Sequence, residues 1–427
     1  MKGQGSAARA AAARAAMKVE AGLHLPQAVD QALRQSDLDA RDRGFCTEIA
    51  YGSERWRSLL DYSLAPHLRR PMKDLDPLVR AILRQGAYQV LKLGLPAYAV
   101  VDSSTQAAAE VGAGRARGLV NAVLRRVAEQ GQPPLPDGEL DALALRYAHP
   151  RWLVQRWVER LGWDAAEDLL RRNQEVPPLV LRINRRRQTA DAVAAACAAA
   201  GIATAGVSGL PHALTVHAGG DVRSLPGFAE GYWQVQDIGA QAVGEAIGEA
   251  EFFLESACGR GTKTLQQAER QSRRVAGVDL DAARIREAEQ ERRRLGLDAR
   301  FSAHDARSLP PELTGADQVL LDAPCSTLGV LQRRPDVKWR RRPQDFERRS
   351  HLQIELLLAA GLACRPQGTV TYSVCSQEPE ETIVPVKALL ERGGFALVEE
   401  PPPCAEKGLE AGFLLPGMFM AQLRRLA

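Results

Sequence analysis

No part of this sequence approaches the roughly 18 uninterrupted apolar residues that a membrane-spanning helix needs. The opening MKGQGSAARAAAARAAMKVE has no apolar core of the kind secretion requires. Its Ala/Arg content loosely resembles an organelle transit peptide, but the same composition is a good helix former and runs straight into a periodic segment, so a helix is expected there. Seven cysteines are an odd number, and there is no Cys-x-x-Cys or His-x-x-His pair. A disulfide framework and a zinc site are therefore not expected, and reduced thiols in a cytoplasmic protein are. Charge of one sign is lacking too: a formal net charge of +4 is too mild to argue for nucleic-acid binding by itself, so the distribution of charge must carry that case. No internal repeat is present, and residues 1 to about 140 show no alternating strand pattern.

What is present is more chain than one core supports. With 427 residues, 45% of them hydrophobic and 25% charged, two or three ordinary globular domains are expected. Apolar spacing in QAVDQAL, FCTEIAYGSERWRSLLDYSL, VRAILRQGAYQVLKL and GLVNAVLRRVAEQ predicts helices. Pro66, Pro71, Pro77 and Pro96 fall between these segments, which suits an all-α bundle over 1–140, closed by the boundary run QPPLPDG. A small α+β subdomain is predicted over 141–235, from the Trp-rich helix RWLVQRWVERLGW through PPLVLRINRRR, ALTVHA and GYWQVQD. From 236 to 427, EFFLESA, RVAGVDL, ARFSAHD, DQVLLDAPC, GTVTYSVCS, FALVEE and MFMAQL alternate with helical stretches. That pattern predicts an open, Rossmann-like α/β sheet whose ligands sit beyond the carboxyl ends of the strands.

Within that sheet, Cys258-Gly259-Arg260-Gly261-Thr262-Lys263 follows a strand and precedes a helix, where glycines let a ligand approach the backbone. The next strand ends at Asp279, eighteen residues beyond Gly261, where a carboxylate can hold both hydroxyls of a ribose. Asp305 follows the third strand and is read as either a helix cap or a third ligand-facing acid. Dinucleotide and S-adenosylmethionine pockets both fit these features. The fourth strand ends in Asp322-Ala323-Pro324-Cys325-Ser326 and the fifth in Tyr372-Ser373-Val374-Cys375-Ser376, which puts two thiols and a carboxylate at one sheet edge. Cys46, Cys197, Cys364 and Cys404 are read as ordinary small hydrophobes, and Cys258 as a residue lining the pocket. Carbon 5 of cytosine is a poor nucleophile until a thiolate adds to carbon 6, so a strand-end thiol beside a nucleoside-sized pocket suits methylation of that base. LQRRPDVKWRRRPQDFERRS holds eight basic residues against three acidic, with Trp339 and Phe346 interleaved. It is read as a phosphate-contacting surface, with Arg333, Arg334, Lys338 and Arg340 as its candidates.

These residues resemble the bacterial RsmB (Sun/Fmu) type of 16S ribosomal RNA cytosine-5 methyltransferases. RDRGFCTEIAYGSERWRSLLD, LDPLVRAILRQGAYQVLKLGLPAYAVVDSS and GLVNAVLRR look like its NusB-like helical RNA-binding domain. HPRWLVQRW, PPLVLRIN and WQVQDIGAQAV look like its linking subdomain and the entry to the catalytic domain; DAPCSTLGVLQRRPDVKW and TYSVCSQEPEET match its two cysteine motifs. A Pro-Cys pair holds the nucleophile in DNA cytosine-5 methyltransferases, so the motif alone would name Cys325. The resemblance instead implies Cys375 as nucleophile and Cys325 as the residue that helps release product. It also implies that Asp322 contacts the cytosine edge and the methionine end of S-adenosylmethionine, that Asp279 binds the ribose, that Asp305 lies near the adenine, and that Lys263 is the lysine of the glycine loop. It further implies a monomer acting on unassembled 16S RNA, with no DNA and no membrane involved.

Two departures from the family pattern stand out. In the glycine loop Arg260 replaces Pro and Thr262 replaces Gly, which puts a β-branched residue where positive φ is expected. GMFMAQLRR lacks the acidic-Gly-Phe-Phe start usual for the last strand. A transfer-RNA cytosine-5 methyltransferase and a non-catalytic RNA-binding assembly factor are the alternatives; the complete NusB-like segment argues against the first and the two retained cysteines against the second.

Overall fold

The computed structural model describes residues 4–217, 221–270, 273–398, 406–409, 412–415 and 417–426. Its contacts divide the chain into two compact units. One comprises Met1–Val176, Gly219–Asp221 and Leu331–Arg340; the other comprises Pro177–Ala218, Val222–Val330 and Arg341–Ala427.

The first unit is helical, with no strand among its described residues. Its Ala-rich opening helix, Gln4–Glu20, buries Ala8, Ala11, Ala12, Ala13 and Ala15. Small side chains on several faces let it pack at close range against the helices Leu25–Arg34, Ala40–Arg55, Pro77–Leu91 and Ala97–Glu110. The prolines start elements as expected: Pro77 opens its helix behind an Asp76 cap that accepts from the amides of Leu78 and Val79, and Pro96 caps the next. The helices Glu139–Arg146, Arg151–Leu161 and Trp163–Gln174 also belong to this unit. The compact helical unit therefore runs on past residue 140 to Val176. Arg55 helps fasten the last of these helices by donating to the carbonyls of Asn173 and Glu175 at 3.3 and 3.2 Å.

Less expected is the place of Leu331–Arg340, which packs within the helical unit. Lys338 is 1% exposed and donates to the Arg55 carbonyl at 2.9 Å, and Trp339 Nε1 donates to the Glu54 carbonyl at 2.8 Å. Arg340 donates to the carbonyls of Gly22, Val19 and Leu23, which caps the end of the first helix.

The second unit holds two sheets. The smaller is antiparallel, ordered β2-β3-β1-β4, with β1 Leu179–Ile183, β2 Ala203–Val207, β3 Leu210–His217 and β4 Trp233–Val235. Leu181, Ile183, Val193, Cys197, Val216 and Trp233 form its core. The larger contains β5 Phe252–Ser256, β6 Arg274–Asp279, β7 Arg300–Ala303, β8 Ala316–Asp322, β9 Cys364–Val374, β10 Phe395–Leu397, β11 Glu406–Leu409, β12 Gly412–Leu415 and β13 Met418–Arg425. Its order is β11-β12-β13-β9-β8-β5-β6-β7, with β10 paired to β13. Strands β5 to β9 are parallel, and β13 runs antiparallel beside β9. Phe253, Leu254, Val278, Leu320, Leu321 and Val370 are buried, as continuous apolar runs in a sheet covered on both faces should be. The chain winds outward from β5 to β7 and returns to β8 on the other side of β5, so the switch in winding lies between β5 and β8, where α/β sheets bind ligands.

Arg182 of β1 joins the two sheets. It is 1% exposed, donates to Glu269 Oε1 at 2.7 Å and Gln234 Oε1 at 3.0 Å, hydrogen-bonds Gln236, and reaches the Thr262 carbonyl at 2.8 Å. The helix after the glycine loop, Thr262–Glu269, is thus fixed to the smaller sheet from both of its ends.

Candidate active site

The glycine loop turns where its backbone is left-handed: Ala257, Gly259 and Gly261 have φ of 79°, 57° and 71°. Thr262 is the first residue of the helix Thr262–Glu269, so the expectation of positive φ at Thr262 is corrected: Gly261 takes that conformation and the β-branched residue follows it. A Cβ on Gly261 would lie 2.5 Å from the Phe301 ring, so no other residue fits there. A Cβ on Gly259 would meet nothing within 4 Å, which leaves open space in front of the loop. Arg260 is pulled aside by Glu287 at 2.6 Å, with 62% of its side chain exposed. Cys258 is buried, and burial raises its thiol well above the usual range.

Asp279 ties this loop to the end of β6: one carboxylate oxygen accepts from the Gly259 amide at 2.8 Å and the other from the Asp281 amide at 2.9 Å. Leu280, next along, is 74% exposed and offers an apolar surface at the strand end. Asp305 accepts from the Arg307 amide at 2.9 Å and from its guanidinium at 2.7 Å, and these bonds lower its carboxyl to about 2.

At the ends of β8 and β9 the two motif cysteines meet, with Cys325 Sγ and Cys375 Sγ 3.0 Å apart. In-register pairing of β8 with β9, Asp322 opposite Ser373, brings them together across fifty residues of sequence. Cys325 is buried and Cys375 partly exposed. The hydrogen bond to the Cys375 sulfur, followed by burial, raises the Cys325 thiol well above its ordinary value. Beside them, Asp322 accepts from Ser373 Oγ at 2.9 Å and from Lys263 Nζ at 2.5 Å. Burial alone would lower Lys263, but the carboxylates of Asp322 and Glu255 outweigh it and keep the ammonium charged. The sequence-predicted Asp322, Lys263, Cys325 and Cys375 therefore converge, with the Cys258–Gly261 loop and Asp279 at the ends of the next strands.

Reading the sequence missed three contributors. Glu255, whose carboxyl burial raises to about 7, lies under the loop and accepts from Thr264. Ser373 steadies Asp322, and Glu381 accepts from Ser326 beside Cys325. Glu381 stands in the quoted run TYSVCSQEPEET, six residues after Cys375, where its position was the available signal. Of the remaining cysteines, Cys46 is raised to about 12 and Cys364 to about 11 by burial, which suits inert thiols; Cys404 lies outside the described residues. For Lys338 the phosphate-contact expectation is corrected, because its ammonium is buried and bonded to main chain within the helical unit. Arg340 spends its donors on helix-end carbonyls, while Arg333 and Arg334 are half-buried.

Comparison with known proteins decides the lineage. Residues 246–412 match the model described as 16S rRNA methyltransferase RsmB/F, residues 6–129 the NusB family, and residues 149–223 the RsmF/B-like ferredoxin-like domain. The ribosomal RNA small subunit methyltransferase B of Pseudomonas putida is 36% identical over 91% of this chain and 88% of its own length. The chain belongs to the RsmB family. The Salmonella typhi protein of the same name is 32% identical over 99% of both chains. The solved protein PH0851 superposes with a TM-score of 0.84 at 24% identity, over 98% of this chain and 99% of its own, and shows the same fold. As an RsmB-family member the protein is an S-adenosylmethionine-dependent RNA methyltransferase, and the open glycine loop, the strand-end Asp279 and the Asp322–Lys263 pair suit a ligand that carries a ribose and an amino-acid tail.

Proposed function

We propose that this protein methylates carbon 5 of one cytosine in 16S ribosomal RNA, with Cys375 as covalent nucleophile and Cys325 as the group that frees the product. The observation that supports this most strongly is the 3.0 Å approach of the two sulfurs beside the Asp322–Lys263 pair. S-adenosylmethionine, when bound, supplies an electrophilic methyl group. Cys258, Gly259, Arg260, Gly261, Lys263, Asp279, Asp305 and Asp322 are the residues proposed to surround it.

The chain's own groups divide the remaining work. The Cys375 sulfur adds to carbon 6 of an extruded cytosine, and the ring, now enamine-like, bonds the methyl group through carbon 5. Asp322, oriented by Ser373 and Lys263, accepts from the amino edge of the base and holds the ring while charge builds on it. Water then takes the proton on carbon 5, the carbon–sulfur bond breaks with its electron pair returning to the Cys375 sulfur, and the ring regains its double bond. Cys325, held neutral by its surroundings, is placed to assist that elimination. Cys325 is buried at 7% exposure and Cys375 is partly exposed, which supports Cys375 as the thiol that meets the base.

For the RNA, the helical unit with Arg333 and Arg334 is proposed to contact phosphates, and the thiol pocket to read one base. The protein is read as a cytoplasmic monomer that acts on free RNA, with neither DNA nor membrane as partner; among the described residues no helix is long and apolar enough to cross a membrane. A denaturing gel tests the whole reading. Wild type, Cys325→Ala and Cys325→Ala/Cys375→Ala are each incubated with unmodified 16S RNA and S-adenosylmethionine. A protein–RNA adduct in the single variant alone is expected. Its absence from every lane, or its persistence in the double variant, rules the mechanism out; an adduct formed only when transfer RNA replaces the 16S RNA reassigns the substrate.

A further inference from the structure

Both reactive sulfurs precede a serine, the two serines lie together, and one of them is bonded to a buried carboxylate. Ser326 donates to Glu381 from its amide, at 2.7 Å to Oε1, and from its hydroxyl, at 2.5 Å to Oε2. Ser326 Oγ lies 3.2 Å from Ser376 Oγ, and Ser376 Oγ accepts from the Glu378 amide at 3.2 Å. Glu381 is 0% exposed and is itself fixed: the Tyr372 hydroxyl donates to its carbonyl at 2.6 Å, and Gln353 Nε2 reaches Oε1 at 3.3 Å and the Pro324 carbonyl at 3.0 Å. Tyr372 lies on β9 three residues before Cys375, and Pro324 directly precedes Cys325. On the other side of the turn, Arg341 Nε donates to the Ser326 carbonyl at 2.8 Å, and the Gly329 amide to the Cys375 carbonyl at 3.0 Å.

A carboxylate with no exposure is costly to bury, and it is tolerated when several donors converge on it. Here two of the donors come from Ser326, next to Cys325, while Glu381 itself belongs to the segment that follows Cys375 and is held to β9 by the Tyr372 hydroxyl. We propose that Glu381 is a positioning residue for methyl transfer, its carboxylate clamping the turn after Cys325 to the strand end that carries Cys375 and so setting the separation of the sulfurs. It touches neither base nor cofactor. Removing it frees the Ser326 amide and leaves the Cys325 turn with the Ala323 amide on the Ser373 carbonyl at 2.9 Å and the longer Ser326 Oγ–Ser376 Oγ contact at 3.2 Å to hold it to the Cys375 strand end. The clamp rests on the reading of Cys375 and Cys325 as the working pair, but its geometry can be measured without that chemistry.

The measurement is the rate at which Cys325 and Cys375 form a disulfide in the reduced full-length protein exposed to diamide, an azo oxidant that takes one hydrogen from each thiol and becomes the hydrazine. Trapping with N-ethylmaleimide and peptide mapping identify the Cys325–Cys375 cross-link. The reaction needs neither RNA nor S-adenosylmethionine, so it still reports if the methyl-transfer reading fails. For Glu381→Ala the cross-linking rate and kcat are both expected to fall about tenfold or more, as expected for a displacement of order 1 Å, with KM for S-adenosylmethionine nearly unchanged. Glu381→Gln, whose amide oxygen still accepts from the Ser326 amide, should recover most of both. Wild-type cross-linking in Glu381→Ala overturns the proposal, as does a lowered melting temperature with both rates intact. Should Glu381→Ala fail to fold, Ser326→Ala removes only the hydroxyl arm; slowing of both rates supports the clamp, and unchanged rates overturn it.

Discussion

Replacing Arg182 by Met should cost the catalytic unit about 3–5 kcal/mol, the range found when one partner of a buried pair is removed. Arg182 and Glu269 have side chains each 1% exposed and lie 2.7 Å apart, and the guanidinium also serves Gln234, Gln236 and the Thr262 carbonyl. Met fills much of the same volume, so the loss is electrostatic and not a cavity. Glu269 is left as an isolated buried carboxylate beside acceptors that have lost their donor. Its carboxyl is already raised by burial, with Arg182 opposing that rise, so in the variant it climbs further. A carboxyl raised in the folded state binds a proton that the unfolded chain releases, and the penalty is therefore full above the folded pKa and shrinks as pH falls toward the ordinary carboxylate range. Urea unfolding at neutral and mildly acid pH, followed by circular dichroism, measures both the size and the sign. Arg182→Met/Glu269→Gln should recover about half of the loss or more, because no bare charge then remains buried. A loss below about 1 kcal/mol, typical of a surface ion pair, would refute the reasoning. So would a double variant no more stable than the single one.

Other perturbations probe the site. Gly261→Ala meets the Phe301 ring at 2.5 Å and holds an L-residue at φ 71°, which costs about 1–2 kcal/mol in backbone conformation before the clash is counted; isothermal titration should show weakened S-adenosylmethionine binding. Asp322→Asn frees Lys263 Nζ from its partner and should lower kcat about 100-fold in a tritiated-methyl transfer assay. Glu255 is raised from 4.5 to about 7 by burial. As pH rises from 4.5 toward 7 the unfolded chain loses this proton first, so wild type should lose stability across that window while Glu255→Gln stays flatter in thermal melts. Lys338→Met should stabilise the helical unit at acid pH more than at alkaline pH. Burial holds the Lys338 ammonium well below its ordinary pKa, so the unfolded chain binds a proton that the folded one resists, and the Met variant removes that difference.

The sequence by itself determined a great deal. Apolar spacing and proline placement defined the helical unit, because a bundle of short helices declares itself in local periodicity. Alternating strand and helix runs defined the α/β sheet, and the motifs at the strand ends named Asp322, Cys325 and Cys375, because a strand's last residue is fixed by the chain alone. Only the tertiary structure decided what those residues meet. Register between β8 and β9 brought the two sulfurs to 3.0 Å, and no local pattern encodes pairing across fifty residues. Thr262 read as strained until the fold showed Gly261 taking the left-handed position and Thr262 opening the helix. Lys338 and Arg340 read as surface charge because a basic run is normally solvated; the structure spends them on main-chain carbonyls, a use visible only once Arg55, Glu54 and the end of the first helix are in place. Glu381 was legible as an acid near a cysteine but not as a clamp, since burial and the convergence of Ser326, Gln353 and Tyr372 are properties of packing, not of spacing.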